Sequence, residues 1–251
     1  MSVSVEDWYK SIPRISRWFI TGAVCSTLGY HIGLVDPRYV YLSYDLVAQK
    51  FQFWRLLTNF LWFGEVSISW IFTMFMLCKY SPELEKNGFM ESAADYFYCL
   101  LCGMCFLLGV DYFYLRAALL SHGLLMMIVY LWARKHPHVN MSFWGLFTFK
   151  AAYLPWVMLL FTGNIRLDLA GIVAGHLYWF LTDVLPRQPP HRRLLETPIF
   201  IKRWLGTGPN LRGAGAVGGG VYRAGAGALN PEAIQAGGHN WGHEGRRLGR
   251  D

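Results

Sequence analysis

Charge is scarce in this chain and unevenly shared out. Only 16% of the 251 residues are Asp, Glu, Lys or Arg, where soluble domains carry about 25%. From Trp18 to Val35 there is no acid or base except His31. A soluble helix of that length needs a polar face, so the shortage excludes an ordinary soluble domain and points to a membrane. Cysteine is also sparse: five residues, at 25, 78, 99, 102 and 105. No disulfide framework follows from so few. Cys99-x-x-Cys102-x-x-Cys105 has a zinc-like spacing, but no His or carboxylate shares its apolar run. Those thiols read as small side chains packed between helices, and no metal or other cofactor is implied. The last shortage is regional. The Gly/Arg-rich end of the chain has almost no apolar residues and lacks the means to build a core.

What is present is apolar and comes in runs. A hydrocarbon core of about 30 Å takes about 20 residues of helix. Six segments approach that: Trp18–Val35, Val66–Cys78, Tyr96–Val110, Ala117–Ala133, Ala151–Gly163 and Leu167–Leu185. The second is short unless the Trp54–Phe63 stretch leads into it, and the fifth contains Pro155. Short spans are accommodated by thinning the lipid, so this protein is expected to distort its bilayer. The first segment begins only at Trp18 and lacks a small-residue cleavage site, so it reads as a retained anchor. The expected organisation is a short N-terminal segment over 1–17, a membrane domain over 18–186 and a basic, Gly-rich tail over 187–251. Leu194–Leu205 can lie on the membrane surface as an amphipathic piece.

Six spans put both termini on one side. Eighteen of the 23 basic residues fall there, against five on the other: Arg38, Lys50, Arg55, Arg116 and Arg166. Both ends are therefore expected in the cytosol. The sequon Asn140-Met141-Ser142 falls on the same side and should stay bare.

Ionisable groups inside spans usually face protein or water. Glu65 is a further candidate for individual attention, while Asp168, Asp183 and Lys150 lie near expected span ends, where reaching for the interface explains them. His176 sits near the middle of the sixth span and is expected to face the bundle interior. Directly before it, Gly171-x-x-x-Gly175 bares one helix face for close packing. Phe51–Phe63 is too polar to span and too aromatic for an ordinary loop. It suits the headgroup region, with Trp54 at that depth and Arg55 reaching phosphates. Paired intramembrane charges and an inverted repeat are both lacking, so a transporter has no support.

These features resemble the Derlin family, rhomboid-like proteins of the endoplasmic reticulum, and most nearly its Derlin-1 type. The likeness is carried by Trp8, Ile12-Pro13 and Arg17; by Phe51-Gln52 and Trp54-Arg55; by Phe143-Trp144, Phe149-Lys150-Ala151 and Tyr153-Leu154-Pro155-Trp156-Val157; by Gly171, Gly175, His176-Leu177-Tyr178 and Phe180-Leu181; and by Thr197-Pro198 with Arg203-Trp204-Leu205. It covers most of residues 1–205. The resemblance implies an all-α, six-helix rhomboid-like membrane fold with a disordered cytosolic tail. It implies a non-enzymatic role in endoplasmic-reticulum-associated degradation, assisting retrotranslocation of misfolded clients. Its implied partners are ubiquitin-ligase complexes of that membrane, membrane lipid, the clients themselves and further Derlin copies, in homo- or hetero-oligomers. No nucleic acid is implied.

The alternative is an intramembrane serine protease using Ser121 and His176. Active rhomboids carry G-x-S-G on the fourth span, and here Leu119 and His122 stand in place of the glycines. A serine without an oriented base and anion stabilisation is a poor nucleophile. At the C-terminus, Trp241, Gly242, Gly245 and Leu248 resemble the Derlin motif that binds the AAA unfoldase valosin-containing protein. Here two residues, His243 and Glu244, separate glycines that the motif sets one residue apart.

Overall fold

The computed structural model describes residues 5–90, 92–143, 147–161, 163–188 and 195–206. The terminal motif with Trp241, Gly242, Gly245 and Leu248 lies outside the described residues. A short α1 (Val5–Ser11) leads through Pro13 into α2 (Arg14–His31). Three small helices follow: α3 (Pro37–Val40), α4 (Tyr44–Lys50) and α5 (Arg55–Thr58). Then come α6 (Ile68–Glu83), α7 (Ala93–Val110) and α8 (Ser121–Lys135). After a hairpin, α9 (Leu154–Phe161), α10 (Ile165–Trp179) and α11 (Ile199–Trp204) complete the fold.

Each helix boundary has a local cause. Ser67 accepts the Trp70 N–H at 3.1 Å to start α6, and Asn164 accepts the Leu167 N–H at 3.4 Å to start α10. Pro155 stands in the first turn of α9, where a missing N–H costs nothing. Pro82 lies inside α6 and removes an intrahelical donor. The helix widens into a π turn, Leu84–Gly88, immediately afterwards. Two further π turns prolong α7 to Leu115 and α10 to Val184.

Each of the six apolar segments expected from the sequence holds the greater part of one of α2, α6, α7, α8, α9 and α10. Two of these, with their prolongations, are long and apolar enough to cross a membrane by length and composition: Ala93–Leu115 and Ile165–Arg187, each 23 residues. The stretch before α6 is not part of that helix. The chain gains length forwards through Pro82 rather than backwards through Trp54–Phe63, because Phe60, Trp62 and Phe63 are buried in the core. The fold is also not wholly α. Asn140–Phe143 and Phe147–Lys150 pair as an antiparallel hairpin, with Asn140 opposite Lys150. Strands of four residues are too short for alternation to announce them.

The core is organised around α8. Twelve of its fifteen residues are buried, on every side of the helix, which is the signature of a central helix rather than a surface one. Its main neighbour is α10, with α6, α7 and α9 also packed on it. The outer helices show the reverse pattern. Ile71 and Phe75 on α6, Leu160 on α9, and Leu169, Val173 and Leu177 on α10 are exposed apolar side chains. Outward-facing apolar rows of this kind fit contact with lipid.

Two buried acids fasten the periphery. Glu85 is 1% exposed. Its carboxylate accepts the N–H groups of Ile15 (3.2 Å) and Ser16 (2.8 Å) and the Ser16 hydroxyl (2.7 Å). These are orphan donors at the positive end of α2, so one carboxylate caps that helix from the π turn after α6. Asp111 accepts the Tyr44 hydroxyl at 2.8 Å and the Ala117 N–H at 2.6 Å, pinning α4 to the end of α7. Burial and that carboxylate hold the Tyr44 phenol above its usual range.

Candidate functional site

The glycines of α10 set the geometry at the centre. A Cβ on Gly171 would run into the backbone carbonyl of Gly123 on α8. At Gly175 it would come within 2.9 Å of Tyr130 Cδ1 and 3.2 Å of the Met127 carbonyl. The two helices therefore touch backbone to backbone, a contact only glycine permits. The partner glycine, Gly123, was not singled out from the sequence. Its signal was available: it directly follows Ser121 and His122.

Close approach at Gly123 brings Asp168, one turn before Gly171, beside His122. Together with α6 and α9 these residues enclose a cavity of about 370 Å³. Ser69 on α6 and Gly163 and Asn164 before α10 are exposed and form its mouth. Met76, Met126, Val129 and Met158 are buried and form its depth. Thr73, His122 and Asp168 supply polar atoms to otherwise apolar walls. Such a site suits an apolar segment that carries a few polar groups.

Ser121 does not share in this chemistry. It is fully buried, and its hydroxyl donates to the Trp62 carbonyl at 2.6 Å. His176 is elsewhere. Its Nδ1 lies 2.6 Å from the Tyr130 hydroxyl, which also accepts the Arg134 Nε–H at 2.8 Å. Nine residues separate Ser121 from Tyr130 along α8, a rise of about 13 Å. The structure therefore does not bring Ser121 and His176 together. It also corrects the expected orientation of His176, which is exposed on α10 rather than turned into the bundle. The reason is helical phase: Gly171 and Gly175 take the inward face, and the next residue is turned away by about 100°.

Two further expectations are corrected. Asp168 does not reach for the interface; it is 1% exposed. Arg55 does not reach lipid phosphates. It is 3% exposed, and its guanidinium donates to Gln52 Oε1 (2.7 Å) and to the carbonyls of Arg38 (2.5 Å) and Tyr41 (2.7 Å). A buried cation must be matched, and here carbonyl oxygens match it. Trp54 does face outward, in company with Phe51, Phe53 and Leu57. Asp183 lies 3.5 Å from Lys135, Lys150 is exposed on the hairpin, and Glu65 accepts the Tyr30 hydroxyl at 2.6 Å.

Comparison with known proteins agrees with the resemblance. The Der1-like family matches residues 12–199. Derlin-2.2 of Zea mays is 43% identical over 216 residues, covering 80% of this chain and 86% of its own. Derlin-2.2 of Arabidopsis thaliana is also 43% identical, over 80% and 88%. Derlin-1 of the same plant is 37% identical over 226 residues, covering 86% of this chain and 85% of its own. Relatives under both names match, and these identities do not single out the Derlin-1 type.

Proposed function

The chain belongs to the Der1-like family, and from that premise we propose a non-enzymatic membrane factor of endoplasmic-reticulum-associated degradation. In this reading α2, α6, α7, α8, α9 and α10 are six spans of a rhomboid-like fold, with both termini in the cytosol. The cavity between α6 and α9 receives a segment of a misfolded client on its way out of the membrane. The exposed Phe51, Phe53, Trp54 and Leu57 disturb lipid nearby. The tail carries Trp241, Gly242, Gly245 and Leu248 to the AAA unfoldase, and ubiquitin-ligase complexes act on the emerging client.

The observation that carries this reading is the state of Ser121. Its proton is committed to the Trp62 carbonyl, and its nearest sequence neighbour with a base, His122, lines the cavity instead. A site with an apolar cavity and a serine without an oriented base is built to hold, not to cut. The reading is tested by client turnover in cells expressing Ser121→Ala or His176→Ala. Both variants are expected to degrade a misfolded client at the wild-type rate. If the wild type yields a discrete client fragment that Ser121→Ala does not, the protein is a protease.

A further inference from the structure

The opposite end of α8 carries a second cavity, which the reading above leaves without a role. It measures about 530 Å³ and lies among the π turn after α6, the end of α8 and the end of α10. Arg134, Lys135, His136 and Arg187 line it, with the amides Asn87 and Gln188. One acid, Asp183, faces Arg134, Lys135 and Arg187, and it lies 3.5 Å from Lys135. The lining therefore keeps an excess of positive charge. We propose that this pocket binds the phosphate of an anionic phospholipid headgroup.

Basic residues at span ends normally need no ligand, since they are the ordinary mark of a cytosolic flank. Three observations set this group apart. The residues line a concavity whose size falls within the roughly 300–1,000 Å³ of small-molecule sites. Arg134 is held in place: its guanidinium carbon sits 4.8 Å over the Trp179 ring and 5.4 Å over the Tyr130 ring, and its Nε donates to Tyr130. Its terminal nitrogens take no hydrogen bond among the described residues. A clamped, planar fork with its outer donors unused is the form in which arginine recognises phosphate. The helix ends also decide what kind of site this is. The C-termini of α8 and α10 present carbonyl dipoles, which oppose an anion. Recognition must come from side chains, and the cationic side chains are there.

Depth selects the ligand. The apolar run of α10 ends at Arg187, and α8 ends at Lys135. On the proposed six-span reading, the pocket falls at the level of a bilayer's phosphates. Basic pockets between helices at a cytosolic membrane edge take acidic headgroups. A phosphomonoester on an inositol ring offers the extra charge and volume that a plain diester lacks. The leaflet follows from the proposed orientation, but the pocket itself does not depend on it.

The test uses the full-length protein in nanodiscs of phosphatidylcholine with a minor share of phosphatidylinositol 4-phosphate, read by native mass spectrometry of retained lipid. Wild type is expected to retain the phosphoinositide. Arg187→Gln, at an exposed position, should lower retention roughly tenfold or more, the weight of one charged hydrogen bond. Arg134→Lys keeps the charge but loses the fork, and should fall by a similar factor. Lys10→Gln, basic but not among the residues that line the pocket, should change nothing. Equal retention in all variants, or equal loss in Lys10→Gln, overturns the proposal. Inorganic phosphate that displaces the lipid at equal concentration overturns the lipid assignment, because the inositol ring and acyl chains would then contribute nothing.

Discussion

The two ends of α8 are built from opposite materials. At the start, Ser121 is buried, Gly123 meets Gly171, and His122 joins Asp168 at an apolar cavity. At the finish, Arg134, Lys135 and His136 border a cationic one. The helix between them is buried on all sides. The difference teaches that one helix can offer an apolar surface at one end and a charged one at the other. The serine end holds its hydroxyl for structure, since Ser121 ties α8 to the Trp62 carbonyl. The histidine of α10 lies toward the other end, where it meets the Tyr130 hydroxyl that also accepts from Arg134.

The contact that keeps both ends in register is the strongest place to break the comparison. Gly171→Leu would drive a side chain into the backbone of Gly123, which cannot move aside as a rotamer can. Overpacking costs about 1–3 kcal/mol and more where backbone must shift. This variant is expected to lose folded, detergent-stable protein, read by size-exclusion chromatography and thermal melting. Gly175→Leu meets Tyr130 and should cost less, while moving Tyr130 away from His176. A Gly171→Leu protein with a wild-type melting temperature would show that α8 and α10 are not in contact.

A smaller loss is expected from Arg55→Ala. It removes two hydrogen bonds that tie the end of α3 to α5 and a third, local one to Gln52. Hydrogen bonds to charged groups contribute about 1.5–3 kcal/mol each at most, and the freed carbonyls of Arg38 and Tyr41 gain partial access to water. The expected result is faster proteolytic nicking of the 32–60 region with the α8–α10 core intact. Unchanged nicking would restore a lipid-facing role for Arg55. Smaller still is Ser121→Ala, which leaves the Trp62 carbonyl without its donor. About 1–3 kcal/mol of stability should go, with client turnover unchanged. Trp241→Ala is expected to weaken co-precipitation of the unfoldase without altering membrane insertion; equal co-precipitation would leave the tail motif without a role.

The sequence made the helices legible because burial in lipid and burial in protein both demand apolar runs. The first apolar run begins at Trp18, yet α2 starts at Arg14, because an apolar run stops short of the basic residues Arg14 and Arg17. In the fold they belong to the first turns, where Arg17 donates to the Lys10 and Ile12 carbonyls. The close-packing face at Gly171 and Gly175 could be read because its period survives in sequence. Its counterpart Gly123 leaves a fainter mark, its place directly after Ser121 and His122, because a single glycine in α8 has no period. Glu85 escaped notice for a related reason: it looks like a loop acid at the end of an apolar run. Only the fold shows the α2 donors that it caps. The cavity was invisible in the same sense. Its polar residues, Thr73, His122 and Asp168, come from three helices, and no spacing along one chain segment records that meeting.

Site-specific photo-crosslinking tests the central claim, that the cavity between α6 and α9 holds clients without cutting them. Phe72 lines the cavity, and Phe75, on the same helix, faces outward. A photoreactive phenylalanine at each position, in cells making a misfolded membrane client, compares the two surfaces directly. The account predicts adducts with intact client from position 72 and few from position 75. Equal labelling from both, or a cleaved client in the adduct, would contradict it.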